Sequence, residues 1–196
     1  MTRSSSKARN TKETQIELLL TLDGSGAGTR QTGVGFLDHM LDLVGRHGRL
    51  GLCVEATGDL ETGAHHTTED VGIALGQALD EALGDRAGIR RYADVRIPMD
   101  ESLGACAIDI SGRPLCVFDA ELPPVTIAGF DAELAEEFFR AVANNSRITL
   151  HVGVAQGSNA HHMIEACFKA FARALRVAVS IDPDEDGVPS TKGTLT

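Results

Sequence analysis

Most of the side chains that could perform chemistry in this chain belong to two copies of one short motif. The motif is His-His-x-x-Glu, and its copies are His65, His66 and Glu69 and then His161, His162 and Glu165. On a helix, residues three and four positions apart share a face, so each glutamate can join a histidine of its own copy. Adjacent helical residues diverge by about 100°, so the two histidines of one copy address different metal ions. The duplication therefore predicts two metal sites, whereas a single pair would suggest only capping or surface histidines.

The donor atoms of these motifs are nitrogen and oxygen, with no sulfur among them. Imidazole and carboxylate ligands suit Mn, Fe, Zn, Co or Ni in a catalytic site that keeps open positions. The chain also has four cysteines, none of which forms a Cys-x-x-Cys pair: Cys53, Cys106, Cys116 and Cys167. Their apolar surroundings predict buried thiols in a reducing cytoplasm rather than metal ligands or a nucleophile.

The elements that must position these motifs occur twice, because the sequence overlays itself. At a shift of 98 residues, RLGLCVEA (49–56) falls on RITLHVGV (147–154), and at a shift of 96 residues His65 falls on His161. Each half therefore predicts a strand with alternating apolar residues, a glycine-containing turn, and an amphipathic helix that begins at the histidine pair.

A second helix is predicted upstream in each half, and it contributes one more ligand candidate. The two sequences are FLDHMLDLVGRHG and AELAEEFFRAVANN, and the shift of 98 residues places His39 on Glu137. If His39 is a ligand in the first half, Glu137 is the candidate in the second. The candidates then supply four ligands to each of two metals, which leaves octahedral positions open. His47 lies at the end of the first of these helices, where an imidazolium interacts favourably with the helix C-terminus.

Composition limits the class of protein. The 196 residues suffice for one domain, or for two small similar halves that share a core. A net charge of −10 argues against a nucleic-acid binder, and no apolar run approaches the ~20 residues of a membrane span. The basic start MTRSSSKARN has no apolar segment, so it is not a secretory signal. We predict a cytoplasmic protein with a disordered tail at residues 1–8.

Motifs along nearly the whole chain resemble those of the imidazoleglycerol-phosphate dehydratase family, over residues 9–193. They are RNTKET (9–14), TGVGFLDHML (32–41), HHTTEDVGIALGQAL (65–79), GIRRY (88–92), PMDE (98–101), DISGRP (109–114), GSNAHHMIEACFKA (157–170) and PSTKG (189–193). The resemblance implies an α+β fold with an internal duplication, in which each half is a four-stranded sheet backed by two helices. The two repeats would span about 9–95 and 96–182, followed by the C-terminal PSTKG tail.

The resemblance also assigns roles to individual residues around two Mn²⁺ ions in each active site. One ion would be held by His39, His66, His161 and Glu165, and the other by His65, Glu69, Glu137 and His162. The substrate phosphate would be held by Arg91, Arg113, Thr191, Lys192 and Gly193. Glu13 is the candidate general acid/base, with Glu69 and Glu165 as alternatives. The remaining predicted contacts with the substrate are those of His39, His47, His65, His161 and Lys169.

The activity implied is a metal-dependent dehydration in histidine biosynthesis, carried out by a homo-oligomer of 24 subunits with metals at the subunit interfaces. D-erythro-imidazoleglycerol phosphate would lose water to give imidazole acetol phosphate, and metals on both ring nitrogens would act as Lewis acids. The chain departs from the family at position 137, which is often histidine, and at Gly63, where an acid is usual. A dinuclear metallohydrolase and an inactive metal-binding cage relative remain alternatives.

Overall fold

Ten strands and four helices make up the part of the chain described by the computed structural model, residues 2–195. The strands are β1 (Ser4–Asn10), β2 (Thr14–Thr21), β3 (Arg30–Gln31), β4 (Gly51–Gly58), β5 (Tyr92–Met99), β6 (Ser102–Asp109), β7 (Leu115–Asp119), β8 (Thr126–Ile127), β9 (Phe130–Asp131) and β10 (Thr149–Gln156). The helices are α1 (Gly35–Gly48), α2 (His65–Leu83), α3 (Leu134–Ser146) and α4 (Ala160–Ala178), and a short 3₁₀ turn spans Leu60–Thr62.

Eight of these strands form two sheets with the same internal order. The first sheet runs β1-β2-β4-β3 and the second runs β5-β6-β10-β7. In each sheet the last strand is parallel to its neighbour, and the other pairs are antiparallel. Each sheet contacts the two helices of its own half, which are α1 and α2 for the first sheet and α3 and α4 for the second. The predicted α+β fold with two similar halves, each a four-stranded sheet backed by two helices, is therefore confirmed.

Alternation along the strands gives each sheet one buried face. In β2, the sequence TQIELLLT buries Ile16, Leu18 and Leu20, because side chains of a strand point alternately to opposite faces. In β6, the buried Cys106 and Ile108 follow the same period. The helices cover these faces, so apolar side chains of both sheets are removed from water.

The helices pack across the two halves and create one shared core. α1 lies against α4, and α2 lies against α3. Between α2 and α3 the backbones approach closely at Gly72, where a Cβ would lie 2.9 Å from the carbonyl oxygen of Phe138. Phe139 and Phe168 belong to this core, with ring centroids 4.7 Å apart. This pairing of helices brings α1 of the first half against the motif-bearing helix of the second.

The N-terminus differs from the sequence-based prediction. The disordered tail at residues 1–8 is wrong for Ser4–Ala8, because these residues belong to β1 and pair with β2 over its whole length. Arg3 just before the strand donates to Asp23, and Lys7 pairs with Glu81 of α2. The sequence SSSKARN has no alternation of apolar and polar residues, which is the pattern that predicts a strand. The strand forms through backbone hydrogen bonds, and these cannot be recognised from the side chains. Met1 lies outside the described residues.

The boundary between the repeats also lies elsewhere than predicted. A division between residues 95 and 96 would cut β5, which belongs to the second sheet from its start at Tyr92. None of the helices within residues 2–195 combines the length and the apolar character needed to cross a bilayer.

Candidate metal centre

Three of the predicted ligands meet where α1 packs against α4. The Nε2 atoms of His39 and His161 lie 3.2 and 3.0 Å from Oε2 of Glu165. The ligand atoms of these residues lie within 4.8 Å of one another, and within residues 2–195 this is the only such group of His, Cys, Asp or Glu. We call these three residues the trio. Two imidazoles and a carboxylate at this spacing match the donor set of a transition-metal site.

Local sequence places two members of the trio on the first turns of α4. Asn159 caps the helix, since its side chain accepts hydrogen bonds from the backbone N–H groups of His161 and His162. One turn later Glu165 returns to the face of His161, the i, i+4 relation that the motif predicts. His39 comes from α1 and is 126 residues distant in sequence from Glu165.

Glu165 is a buried carboxylate that stays ionised. Burial raises its pKa, but this effect is outweighed by hydrogen bonds from Lys169, His39 and His161, and the pKa falls to about 2. Lys169 holds Oε1 at 2.6 Å, while both imidazoles face Oε2. At neutral pH the trio therefore presents a fixed negative charge to a cation.

Lys169 brings positive charge to this part of the α1–α4 interface, close enough to His47 to affect its titration. The pKa of His47 is lowered by burial and then by the charges of Lys169, Arg173 and Arg46. His47 is therefore neutral at pH 7, in contrast to the charged capping imidazolium that its position suggested. The predicted contacts of His47 and Lys169 with a substrate remain predictions.

The ligands at the corresponding place, where α2 packs against α3, are less tightly assembled. His65 Nε2 lies 3.9 Å from Glu69 Oε2, and about half of each side chain is exposed. Glu137 is half-buried on α3, directly before the Phe138 that contacts α2 at Gly72. In the described part of the chain, His65, Glu69 and Glu137 do not form a group as close as the trio.

The second histidine of each motif copy is bound through Nδ1 to a carboxylate outside its helix. His66 Nδ1 lies 3.0 Å from Oδ2 of Asp59, and His162 Nδ1 lies 2.7 Å from Oε2 of Glu101. Hydrogen bonds to these acids raise the pKa of both histidines. The bond from His162, followed by the backbone N–H of Asn159, lowers the pKa of Glu101 far below its ordinary range.

Sequence reasoning did not identify either acid as a partner of a motif histidine. It looked for an acid at position 63, but Gly63 occupies it, and Asp59 binds His66 instead. The only available signal for Glu101 was its place in PMDE, which the resemblance includes. His66 is also not a member of the trio, so one chain does not bring together the four ligands predicted for the first ion.

The predicted phosphate-binding residues form a separate cluster around Asp109. Arg91 donates to both carboxylate oxygens of Asp109, at 2.7 and 3.2 Å, and to the carbonyl oxygen of Pro189. Arg113 is 66% exposed, with its guanidinium 3.7 Å from Asp109. Through Pro189, Arg91 connects this cluster to the exposed tail residues Thr191, Lys192 and Gly193. The cluster is positively charged and open to an anionic ligand.

Glu13 lies in the turn between β1 and β2, near the Asp59–His66 pair. Its side chain is exposed, and its backbone carbonyl accepts a hydrogen bond from the N–H of Asp59. The charge of Glu13 also contributes to the raised pKa of His66. The acid/base role of Glu13, like the roles of Glu69 and Glu165, stays a prediction.

Comparison with known proteins places this arrangement in a family. A sequence profile described as imidazoleglycerol-phosphate dehydratase matches residues 32–175. The protein of that name from Geobacter metallireducens is 56% identical over 195 residues, covering 100% of both chains. The one from Azorhizobium caulinodans is 58% identical over 188 residues, covering 95% of each.

Two solved structures give the same result at the level of the fold. The imidazoleglycerol-phosphate dehydratase of Staphylococcus aureus superposes with a TM-score of 0.83 at 45% identity, covering 91% of this chain and 99% of that one. The enzyme of Pyrococcus furiosus in complex with (S)-C348 gives a TM-score of 0.83 at 36% identity, covering 96% and 100%. The chain therefore belongs to the imidazoleglycerol-phosphate dehydratase family of hydro-lyases.

Proposed function

We propose that this protein removes water from D-erythro-imidazoleglycerol phosphate to form imidazole acetol phosphate, a step of histidine biosynthesis in the cytoplasm. The observation that carries the proposal is the trio of His39, His161 and Glu165, assembled in a chain whose full-length relatives bear the name of this activity. Its donors are nitrogen and oxygen around an ionised buried carboxylate, which fits Mn²⁺ and does not resemble a thiolate-rich structural zinc site.

The proposal includes two Mn²⁺ ions in each active site. His39, His66, His161 and Glu165 would hold one ion, and His65, Glu69, Glu137 and His162 would hold the other. When bound, these ions would act as Lewis acids toward the imidazole ring of the substrate, which makes its neighbouring proton easier to remove.

The chain's own residues would bind the rest of the substrate and move the proton. Arg113 and Lys192 are exposed and free to approach the phosphate, while Asp109 holds the guanidinium of Arg91 in a fixed orientation. Charge-assisted bonds from these groups would anchor the phosphate away from the reacting carbon and so position the ring. Glu13 is exposed, whereas Glu165 is held by three partners, so Glu13 is better able to accept and return a proton.

We further propose a homo-oligomer, which by resemblance is a cage of 24 subunits. Neither four-ligand set is gathered within one chain, so neighbouring subunits would complete the sites. Large apolar side chains on the surface support this assembly, since Leu19, Tyr92, Leu115 and Ile181 are each about half exposed.

The experiment that tests the activity compares protein stripped of metal with the same protein reconstituted with Mn²⁺. Each sample is incubated with imidazoleglycerol phosphate, and both the ketone product and free inorganic phosphate are measured. Ketone formation that needs Mn²⁺ supports the proposal. Full turnover by protein free of metal would contradict the metal sites, and release of phosphate without ketone would identify a hydrolase instead.

A further inference from the structure

We propose that Asp59 and Glu101 are positioning residues, each of which fixes the second histidine of one motif so that its Nε2 atom faces a metal ion. The inference deepens the proposed function and rests on it, because it takes His66 and His162 as metal ligands. It concerns how these two imidazoles are oriented, which the motif itself leaves open.

Glu101 occupies the turn between β5 and β6 and binds the start of α4 with both carboxylate oxygens. Oε2 lies 2.7 Å from Nδ1 of His162. Oε1 accepts from the backbone N–H groups of Ser158 and Asn159 at 3.2 and 2.8 Å, and from the hydroxyl of Ser102 at 3.1 Å. Because several donors hold the carboxylate, it can fix the imidazole ring rather than follow it.

Asp59 makes the equivalent contact in the first motif, with Nδ1 of His66. It lies in the segment between β4 and α2, where both carboxylate oxygens face Nδ1 of His66 at 3.0 and 3.2 Å. The hydroxyl of Thr62 donates to Oδ2 of Asp59, and the Asp59 backbone N–H donates to the carbonyl of Glu13. This carboxylate is also held from more than one side.

The chemistry of the two contacts determines which ring nitrogen can bind a metal. An ionised carboxylate only accepts hydrogen bonds, so Nδ1 must be the donor in both rings. In the neutral imidazole the lone pair then resides on Nε2, the atom left for a metal. The first histidine of each motif instead uses Nε2 toward the glutamate of its own helix, as His65 and His161 do. Nε2 of His162 lies 3.8 Å from Oδ2 of the exposed Asp100, a second carboxylate beside the place proposed for the ion.

The two acids come from different places in the fold. Asp59 follows β4 of the first half, whereas Glu101 lies in the first hairpin of the second half, so the internal repeat does not relate them. Two unrelated segments thus supply the same partner to equivalent histidines. A common requirement at those histidines explains this, and partners of this kind typically change metal affinity by roughly 10–100-fold when removed.

The test measures Mn²⁺ binding by equilibrium dialysis and elemental analysis of the full chain in its native assembly, at a series of free Mn²⁺ concentrations. The variants are Asp59→Asn and Glu101→Gln, which keep the size and an acceptor oxygen of each side chain. We expect each variant to lower the affinity for one of the two ions by roughly 10–100-fold. The affinity for the other ion should stay near that of the original protein.

Two matched controls separate positioning from charge and from helix capping. Glu61→Gln removes the same charge two residues from Asp59, at an exposed position. Asn159→Ala removes the cap of α4 without touching Nδ1 of His162. Both should bind Mn²⁺ nearly as well as the original protein. If Asn159→Ala weakened binding as much as Glu101→Gln, the effect of Glu101 would be one of capping and the inference would be wrong.

His66→Ala and His162→Ala distinguish failure of the inference from failure of the proposed sites. If each histidine variant loses one ion while Asp59→Asn and Glu101→Gln bind both ions normally, the positioning role is overturned and the metal sites stand. If the histidine variants also keep both ions at full affinity, the ligand assignment fails and the inference fails with it.

Discussion

At the scale of single residues, the duplicated site has an imidazole at one position and a carboxylate at the equivalent position of the repeat. These residues are His39 and Glu137, so the two copies of the site differ in charge. In the trio, the His39 imidazole lies next to the ionised Glu165 and is attracted to it. At the corresponding place, Glu137 lies on α3, which packs against α2, the helix that carries Glu69. Because the proposed second ligand set contains two carboxylates, Glu69 and Glu137, this site would depend more strongly on the metal to bring its ligands together.

We expect Glu137→Ala to lower the occupancy of one metal ion and to remove most of the activity. The ion assigned to His39, His66, His161 and Glu165 should stay bound, because Glu137 does not contribute to it. Glu137→His should keep or improve metal affinity, since it removes one of the two like charges and supplies an imidazole. Metal stoichiometry and turnover of both variants check this, and two bound ions with an unchanged rate in Glu137→Ala would show that Glu137 is not a ligand.

Arg113→Ala should raise KM for the substrate by roughly 10–100-fold while leaving the thermal unfolding midpoint nearly unchanged. A charge-assisted hydrogen bond to phosphate contributes about 1.5–3 kcal/mol, whereas the side chain is 66% exposed and packs little. Arg91→Ala provides the comparison, because Arg91 binds Asp109 and Pro189 and should affect both KM and stability. An unchanged KM in Arg113→Ala would exclude contact with the phosphate.

At the scale of elements, strand β1 is anchored by side chains at its beginning. Arg3 binds both carboxylate oxygens of Asp23 after β2 and also donates to the carbonyl of Val179 after α4. This hydrogen bonding lowers the pKa of Asp23 below its ordinary 3.8, against the opposing effect of burial. The contribution to stability is therefore present above about pH 4 and is lost as the pH falls through the lowered value.

Asp23→Asn should destabilise the protein at pH 7 by about 0.2–1 kcal/mol, the range of solvent-exposed ion pairs. The effect is small because the Asp23 side chain is 56% exposed and water screens the pair. The difference from the original protein should shrink as the pH falls through the lowered pKa, because Asp23 then becomes protonated. Urea unfolding at several pH values measures it, and a difference that grew at low pH would contradict the stated pKa direction.

The contact between α2 and α3 depends on glycines that would ordinarily weaken a helix. A Cβ at Gly72 would lie 2.8 Å from Cβ of Ala141 and 2.9 Å from the carbonyl of Phe138. We expect Gly72→Ala to lower the free energy of unfolding by about 1–3 kcal/mol, because overpacking outweighs the gain of about 1 kcal/mol in helix propensity. Gly35→Ala in α1 is the control, since nothing lies within 4 Å of its Cβ position. Denaturant unfolding compares the two, and a stabilised Gly72→Ala would show that the helices can separate without cost.

At the scale of the whole molecule, the metal sites and the assembly should depend on each other. If neighbouring subunits complete the ligand sets, the free energy of metal binding also stabilises the association. We expect exhaustive chelation to reduce the particle size in light scattering after size-exclusion chromatography, and Mn²⁺ to restore it. A fully active species of 20.7 kDa would contradict the placement of metals between subunits.

Much of the candidate site follows from the sequence because it depends on local periodicity. The helical repeat relates His161 to Glu165 on α4, and the duplication relates His39 to Glu137, each without knowledge of the fold. The alternation in β2 likewise predicts its buried face. Such patterns need only the fixed geometry of a helix or strand, and for that reason the sequence alone determined them.

Other features were decided only by the tertiary structure. His39 meets Glu165 because α1 packs against α4, and no periodic pattern connects residues 126 positions apart. Asp59 and Glu101 reach their histidines from loops, whose paths depend on how the sheets are connected. Strand β1 forms through backbone hydrogen bonds with β2. Almost any sequence can make such bonds, so the polar residues of β1 do not predict them. The sequence thus determined which donors exist and at what local spacing, and the packing of two halves around one core decided which of them meet.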